Sequence, residues 1–240
     1  MLISKENFYS FKVKSYHTDK EGFLSIHQLF LFLQECAWAH AQENNFGYTF
    51  VKKQNALWVL SRIYIKLSKY PIWEDEISIK TWPRPPLDFF AYRDFEISIA
   101  DEIVGHVCSS WLIIDKKSKR PYRMHDFQIM QSNFIEKSAV DHPLNKLEIT
   151  SEMKYIEERK VQWSDIDVNG HVNNASYVRW IMDAVFQQNQ KQASEFEINF
   201  LRELYINDYF KVFLSTSQSQ IFATIQSMDG KVICNARAIF

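Results

Sequence analysis

Residues 163 to 184 read WSDIDVNGHVNNASYVRWIMDA, and within them Asp167, Asn169 and His171 occupy alternate positions. Alternation along an extended backbone points side chains to one side. At ~3.3 Å per residue a straight run still holds Asp167 and His171 roughly 13 Å apart, so joint action requires a turn at Gly170. A carboxylate, a carboxamide and an imidazole gathered there suit hydrolysis of an acyl bond. The imidazole or the carboxylate can activate water, while the carboxamide donates to the oxyanion near the positive end of a helix starting about Asn173. A structural reading competes, because Asn169-Gly170 is a strong turn dipeptide and Asn173 or Asn174 is a natural helix cap. A metal site from Asp165, Asp167 and His171 is disfavoured, since asparagines are weak ligands and no second cluster accompanies them. No metal and no cofactor is expected.

The elements that must position these residues follow a plan that runs twice. FYSFKVKSY (8 to 16) alternates like a half-buried strand, and YHTDKEGF supplies turn chemistry. Ser25 with Gln28 forms a capping box for a helix that runs on to Gly47. Ile26, Leu29, Phe30, Leu31, Phe32, Leu33, Cys36, Ala37 and Trp38 go round nearly the whole helix, which predicts enclosure on most sides. Strands are expected at 57 to 67, 76 to 82, 90 to 100 and 103 to 114, paired antiparallel. The stretch from Arg120 to about Thr150 reads as a connector. The plan then restarts with a strand ending near VQW (161 to 163), the polar SDIDVNGHVNN and a helix from about Asn174 to Gln188. The strands EFEINFLREL, YFKVFLS, QIFATIQS and KVICNARAIF complete it. With Gly22 set opposite Gly170, Asp19 faces Asp167 and Leu29 faces Tyr177, while Asn169 and His171 face Glu21 and Phe23. Only the second copy carries the full polar set.

An antiparallel sheet wrapped round one apolar helix, used twice, is an α+β layout of two tandem hotdog units. The expected boundaries are 1–145 for the N-terminal unit with its connector and 146–240 for the C-terminal unit. The chain has 240 residues and is 46% hydrophobic with 19 Phe, 11 Tyr and 7 Trp, enough for such cores. With 28 basic against 29 acidic residues, nothing in the total charge points to nucleic acid or to a membrane surface. Cys36, Cys108 and Cys234 lie far apart in apolar surroundings and read as free buried thiols in a reducing interior. His40 and His106 read as packed or surface side chains. The first residues lack a signal-type apolar core and no stretch is long enough to span a bilayer, so the expectation is a cytoplasmic protein. Two fused units already supply the pairing that single units reach by dimerising, which leaves both monomer and homodimer open.

The stretch DIDVNGHVNNASYVRWIMDA resembles the signature of the acyl-acyl carrier protein thioesterases, whose second hotdog carries Asp-x-Asn-x-His, Val-Asn-Asn and the central helix. LFLFLQECAWAHAQENNFG and GHVCSSWLIIDKKSKRP are similar to that family as well, so the resemblance covers most of the chain. It implies release of free fatty acid from an acyl carrier protein, ending chain elongation. It also implies Asp167, Asn169 and His171 as catalytic residues, joined by Glu203 on the following strand. Plant members commonly have a cysteine directly after that glutamate. Here Leu204 stands there, which excludes a thiol mechanism through that position.

Two routes remain. Asp167 attacks the thioester to give an anhydride that Glu203-activated water hydrolyses, or Asp167 or His171 acts as general base on water. The basic residues Lys116, Lys117, Lys119, Arg120 and Arg123 read structurally as a solvated strand end and functionally as a docking surface for the acidic carrier. By the resemblance the first hotdog forms the acyl pocket, although Phe30, Phe32, Trp38 and Trp58 serve equally as ordinary core. A coenzyme A thioesterase and a catalytically silent acyl-binding module are the alternatives.

Overall fold

The computed structural model describes residues 5–126 and 134–240. They fall into two units, Met1–Leu144 and Asn145–Phe240. In the first, β1 (Asn7–Lys12) precedes helix α1 (Ile26–Glu43), a short α2 (Tyr48–Lys53), and strands β2 (Ala56–Leu67), β3 (Glu76–Leu87), β4 (Phe90–Ile99) and β5 (Glu102–Asp115). The sheet order is β1-β3-β4-β5-β2, antiparallel at every pairing. In the second, β6 (Lys154–Lys160) precedes α3 (Asn174–Gln188) and strands β7 (Glu195–Phe200), β8 (Tyr209–Thr216), β9 (Gln220–Ser227) and β10 (Val232–Ile239). Their order is β6-β8-β9-β10-β7, again antiparallel throughout. Strand for strand the two connectivities are the same, which is the double-hotdog layout expected from the repeated plan.

Each helix buries its apolar side on its own sheet. In α1, Leu29, Phe30, Leu33 and Cys36 are sealed from solvent and Phe32 stacks on Phe11 of β1 at 4.4 Å. In α3, Trp180 lies 4.3 Å from the Phe210 ring of β8. A fully buried side chain of this size contributes about 1.5–3 kcal/mol relative to exposure, so these rows fix which way each helix faces. Ser25 accepts from the Gln28 amide, the first half of the predicted capping box.

Several boundaries differ from the sequence reading. Helix α1 stops at Glu43, where Asn45 takes the left-handed conformation (φ 61) expected of Gly47. Gly47 instead starts α2, and a Cβ there would sit 2.8 Å from the Gln42 backbone, so close packing explains the glycine. Trp38 is 55% exposed, so α1 is not enclosed on that side; Trp58 packs inward and donates to the Phe46 carbonyl at 2.8 Å. Strand β3 runs past the expected end at Trp82 because its prolines lie beyond the reach of β1, whose pairing stops at Thr81. An unpaired edge loses nothing to a missing N–H. Up to Leu144 the connector is fastened to the first unit: Lys137 O accepts from the Trp82 indole at 2.8 Å, and the Asp94 carboxylate accepts from Ala139 N at 2.6 Å. Part of it, residues 127–133, falls outside the described residues. No helix among the described residues is long and apolar enough to cross a membrane.

Candidate active site

The site is built on the loop between β6 and α3. A single 3-10 turn, Trp163–Asp165, opens it. Asp165 is only 2% exposed and is fully engaged: it pairs with Arg179 of α3, accepts from Gln162 N at 2.8 Å, and its carbonyl takes Asn173 N at 2.8 Å. Its carboxylate is therefore a structural anchor. Asn173 caps α3, its side-chain oxygen accepting from Ala175 N at 2.8 Å.

Between these anchors the chain folds back at Gly170 (φ 82). Asp167 N donates to His171 O at 2.8 Å and Gly170 N to Asp167 O at 3.0 Å. The Asp167 carboxylate fills the turn, with Oδ1 accepting from Asn169 N (2.8 Å) and His171 N (3.3 Å) and Oδ2 from the Asn169 side chain (3.3 Å). The turn required for joint action is thus present. It joins Asp167 to Asn169 side chain to side chain, and to His171 through the backbone.

The His171 ring goes elsewhere. Its Nδ1 lies 3.4 Å from Glu203 Oε1, and the Tyr205 ring meets it edge-on at 5.1 Å. Tyr205 Oη donates to Glu203 Oε2 at 2.9 Å. Contrary to expectation, Glu203 is not on a strand: β7 ends at Phe200, and the chain turns away with Leu201 N and Arg202 N both donating to Ile233 O. Leaving the ladder frees the carboxylate to reach His171. Two bonds then hold the segment against the loop and helix, Val172 N to Leu204 O at 3.0 Å and Leu204 N to Tyr177 Oη at 2.9 Å. Tyr205 and Tyr177 escaped the sequence reading; the alternation around Asp167 carries no signal for partners that arrive from another loop.

Burial takes the thiols out of this chemistry. All three are buried, and burial pushes Cys36 up from 9.0 to about 12 and Cys108 and Cys234 upward as well, so they stay protonated. His40 is packed inside the first unit, 3.1 Å from the Arg93 guanidinium. The basic residues form a turn after β5 wound round Asp115, whose carboxylate accepts from Lys117 N at 3.0 Å and from Ser118 N and Tyr122 Oη. Arg123 is laid over the Phe89 ring at 5.3 Å, leaving Lys116, Lys117, Lys119 and Arg120 to give the turn its charge.

The model of the acyl-ACP thioesterase N-terminal domain matches residues 5–131, and that of the C-terminal domain matches residues 148–240. A chloroplastic acyl-[acyl-carrier-protein] hydrolase of Cuphea viscosissima is 27% identical over 197 residues, which is 76% of this chain and 47% of the relative. A chloroplastic oleoyl-acyl carrier protein thioesterase of Arabidopsis thaliana is 25% identical over 89% of this chain and 64% of its own length. The chain spans about half the length of most curated relatives it matches. Among solved structures, an acyl-ACP thioesterase from Bacteroides thetaiotaomicron superposes with a TM-score of 0.89 at 28% identity, covering 98% of each chain. A 12:0-ACP thioesterase from Umbellularia californica gives 0.86 at 22% identity over 100% of this chain and 98% of that one, a likeness of fold.

Proposed function

The chain belongs to the acyl-ACP thioesterase family, and from that premise we propose that it hydrolyses the thioester of a fatty acyl carrier protein, releasing free fatty acid and ending elongation. The observation that carries the reading is His171 Nδ1 facing Glu203 at 3.4 Å beside the Asp167–Asn169 turn. With Nδ1 turned to the carboxylate, Nε2 is the ring nitrogen left to take a proton from water. Water adds to the thioester carbonyl, the Asn169 amide and the start of α3 stabilise the oxyanion, and collapse expels the carrier thiolate, which recovers the proton from His171.

Asp167 braces the turn and orients Asn169 in this scheme. The competing route makes Asp167 the nucleophile. The three hydrogen bonds it already accepts, two on Oδ1 and one on Oδ2, leave only an Oδ2 lone pair for attack. Single-turnover hydrolysis in oxygen-18 water separates the two: label in the Asp167 carboxylate means an anhydride formed, and unlabelled Asp167 with labelled product means direct attack by water. Steady-state thiol release from matched acyl-carrier and acyl-coenzyme A substrates tests the substrate class. Preference for coenzyme A would reassign it, and no hydrolysis of either would leave an acyl-binding module.

An acyl pocket in the first unit rests on the family membership, since Phe30 and Phe32 of α1 are packed as core side chains. The basic turn at Lys116, Lys117, Lys119 and Arg120 suits an acidic carrier. Three buried free thiols fit a reducing compartment such as the cytoplasm.

A further inference from the structure

The two copies of the fold differ at the segment that delivers Glu203, and the differences come in matched pairs. In the first unit Leu24 N donates to Pro71 O at 2.8 Å; in the second Val172 N donates to Leu204 O at 3.0 Å. Pro71 and Leu204 therefore occupy the same place. One residue on, Ile72 N donates to Asp75 Oδ2 at 2.9 Å and Tyr205 N to Asp208 Oδ2 at 2.8 Å, so Ile72 matches Tyr205 and Tyr70 matches Glu203. On the helices Leu29 matches Tyr177.

Pro71 has no N–H, and the helix residue that matches Tyr177, Leu29, has no hydroxyl. Leu204 has an N–H, and Tyr177 supplies the hydroxyl that accepts it at 2.9 Å. Donor and acceptor are both present in the second unit and both missing from the first. A second hydroxyl shows the same pattern. Tyr205 donates to Glu203 Oε2 at 2.9 Å and sets its ring edge against His171, where the first unit has Ile72. A backbone N–H pinned from the helix and a carboxylate pinned from the loop leave Glu203 little freedom to leave His171.

We propose that Tyr177 and Tyr205 are positioning residues that clamp the Glu203 segment, Tyr177 through the Leu204 backbone and Tyr205 through the carboxylate, so that Glu203 stands preset opposite His171. This rests on the reading of Glu203 as part of the hydrolytic site. The second helix residue is a tyrosine for the sake of an amide that only the second unit exposes, and Tyr205 couples the acid to the base it orients.

The test measures kcat, KM, rate against pH and melting temperature for Tyr177→Phe, Tyr205→Phe and Glu203→Gln, and for each tyrosine change combined with Glu203→Gln. Each tyrosine change is expected to lower kcat about tenfold with KM held within about twofold, as for loss of alignment and not of binding. Tyr205→Phe keeps the ring against His171 and removes only the hydroxyl, so its effect on kcat reports the bond to Glu203 Oε2 alone. In the Glu203→Gln background neither change is expected to cost more than about twofold further.

Unchanged kcat in both tyrosine variants, beside an inactive Glu203→Gln, overturns the clamp and leaves the hydrolytic reading standing. An equal loss with and without Glu203 also overturns it, since the tyrosines then act independently of that carboxylate. Full activity in Glu203→Gln instead overturns the reading on which the clamp rests. If Tyr177→Phe does not fold, the half-exposed Tyr205 decides alone, because its removal leaves no buried group unpaired.

Discussion

The loops at 19–23 and 167–171 are the same object with different contents. Asp19 accepts from Glu21 N at 2.9 Å and Phe23 N at 3.1 Å, as Asp167 does from Asn169 N and His171 N, and Gly22 and Gly170 take φ of 86° and 82°. Asp19 N also donates to Phe23 O, as Asp167 N does to His171 O. The aspartate and glycine are thus the means of making the turn in both units. What separates the copies is the partner set. Phe23 meets Tyr70 edge-on at 6.2 Å in the first unit, where His171 meets Glu203 in the second. An aromatic pair closes one loop and an acid–base pair equips the other.

The largest effect is expected from erasing that difference. Installing the first unit's pair, His171→Phe with Glu203→Tyr, should lower kcat by about a thousandfold or more, since it removes the base and its orienting group together. The melting temperature should stay within a few degrees, because the same pair already closes the same loop elsewhere in the chain. Residual activity above a tenth of the starting rate would show that the dyad is not where the chemistry lies.

A smaller effect separates turn from charge at Asp167. Asp167→Ala and Asp19→Ala should each destabilise by about 1–2 kcal/mol, as for loss of a cap-like acceptor, yet only the former should slow hydrolysis. Asp167→Asn keeps an oxygen for the backbone amides and should recover most of the melting temperature. Its NH2 group then confronts the Asn169 NH2 donor, which forces the Asn169 amide to turn over. The rate should stay about a hundredfold down, on the scale of losing one oxyanion donor. Recovery of rate together with stability would make Asp167 a turn former only.

How much of this could be read from the chain follows from the range of each interaction. The strand alternation, the two long helices and the internal repeat are local patterns and were legible, as was a cap at Asn173 or Asn174, which falls on Asn173, because one residue and its near neighbours decide each of them; the short α2 was not. The Asp167–Gly170 turn was legible for the same reason. The meeting of His171 with Glu203 was reached only through family resemblance, since nothing near position 203 shows that β7 will end at Phe200 and release the carboxylate. Tyr177 lay in plain view as a helix residue opposite Leu29. Its meaning depends on an N–H far along the chain at Leu204, a partner no periodicity reveals. Trp38 was misread because a nearly continuous apolar helix gives no sign of which side the sheet leaves uncovered.

The comparison of the units also bears on binding. The turn wound round Asp115 in the first unit carries Lys116, Lys117, Lys119 and Arg120, and charge reversal of Lys119 and Arg120 is expected to raise KM for the carrier-linked substrate about threefold to tenfold while sparing kcat. Added salt should reduce the gap. An unchanged KM would return the turn to a purely solvated strand end.

The smallest effect concerns a property the two units share. Cys36 in α1 and Cys234 in β10 are both sealed in cores, and burial raises both thiols, Cys36 from 9.0 to about 12. Cys108 in β5 is raised for the same reason. A raised folded value means that the unfolded chain gives up its thiol proton first. The stability these thiols contribute is therefore complete below about pH 9 and is lost as the pH climbs towards the folded values, by about 1 kcal/mol per thiol at pH 10. Melting temperatures recorded between pH 8 and pH 10 should fall along that window, and replacing Cys36 with alanine should flatten the slope even though it lowers the starting point. The same burial predicts that alkylating reagents at pH 8 leave the hydrolytic rate untouched. Inactivation by such a reagent before the protein unfolds would bring a thiol back into the mechanism, in a chain where Leu204 stands beside Glu203.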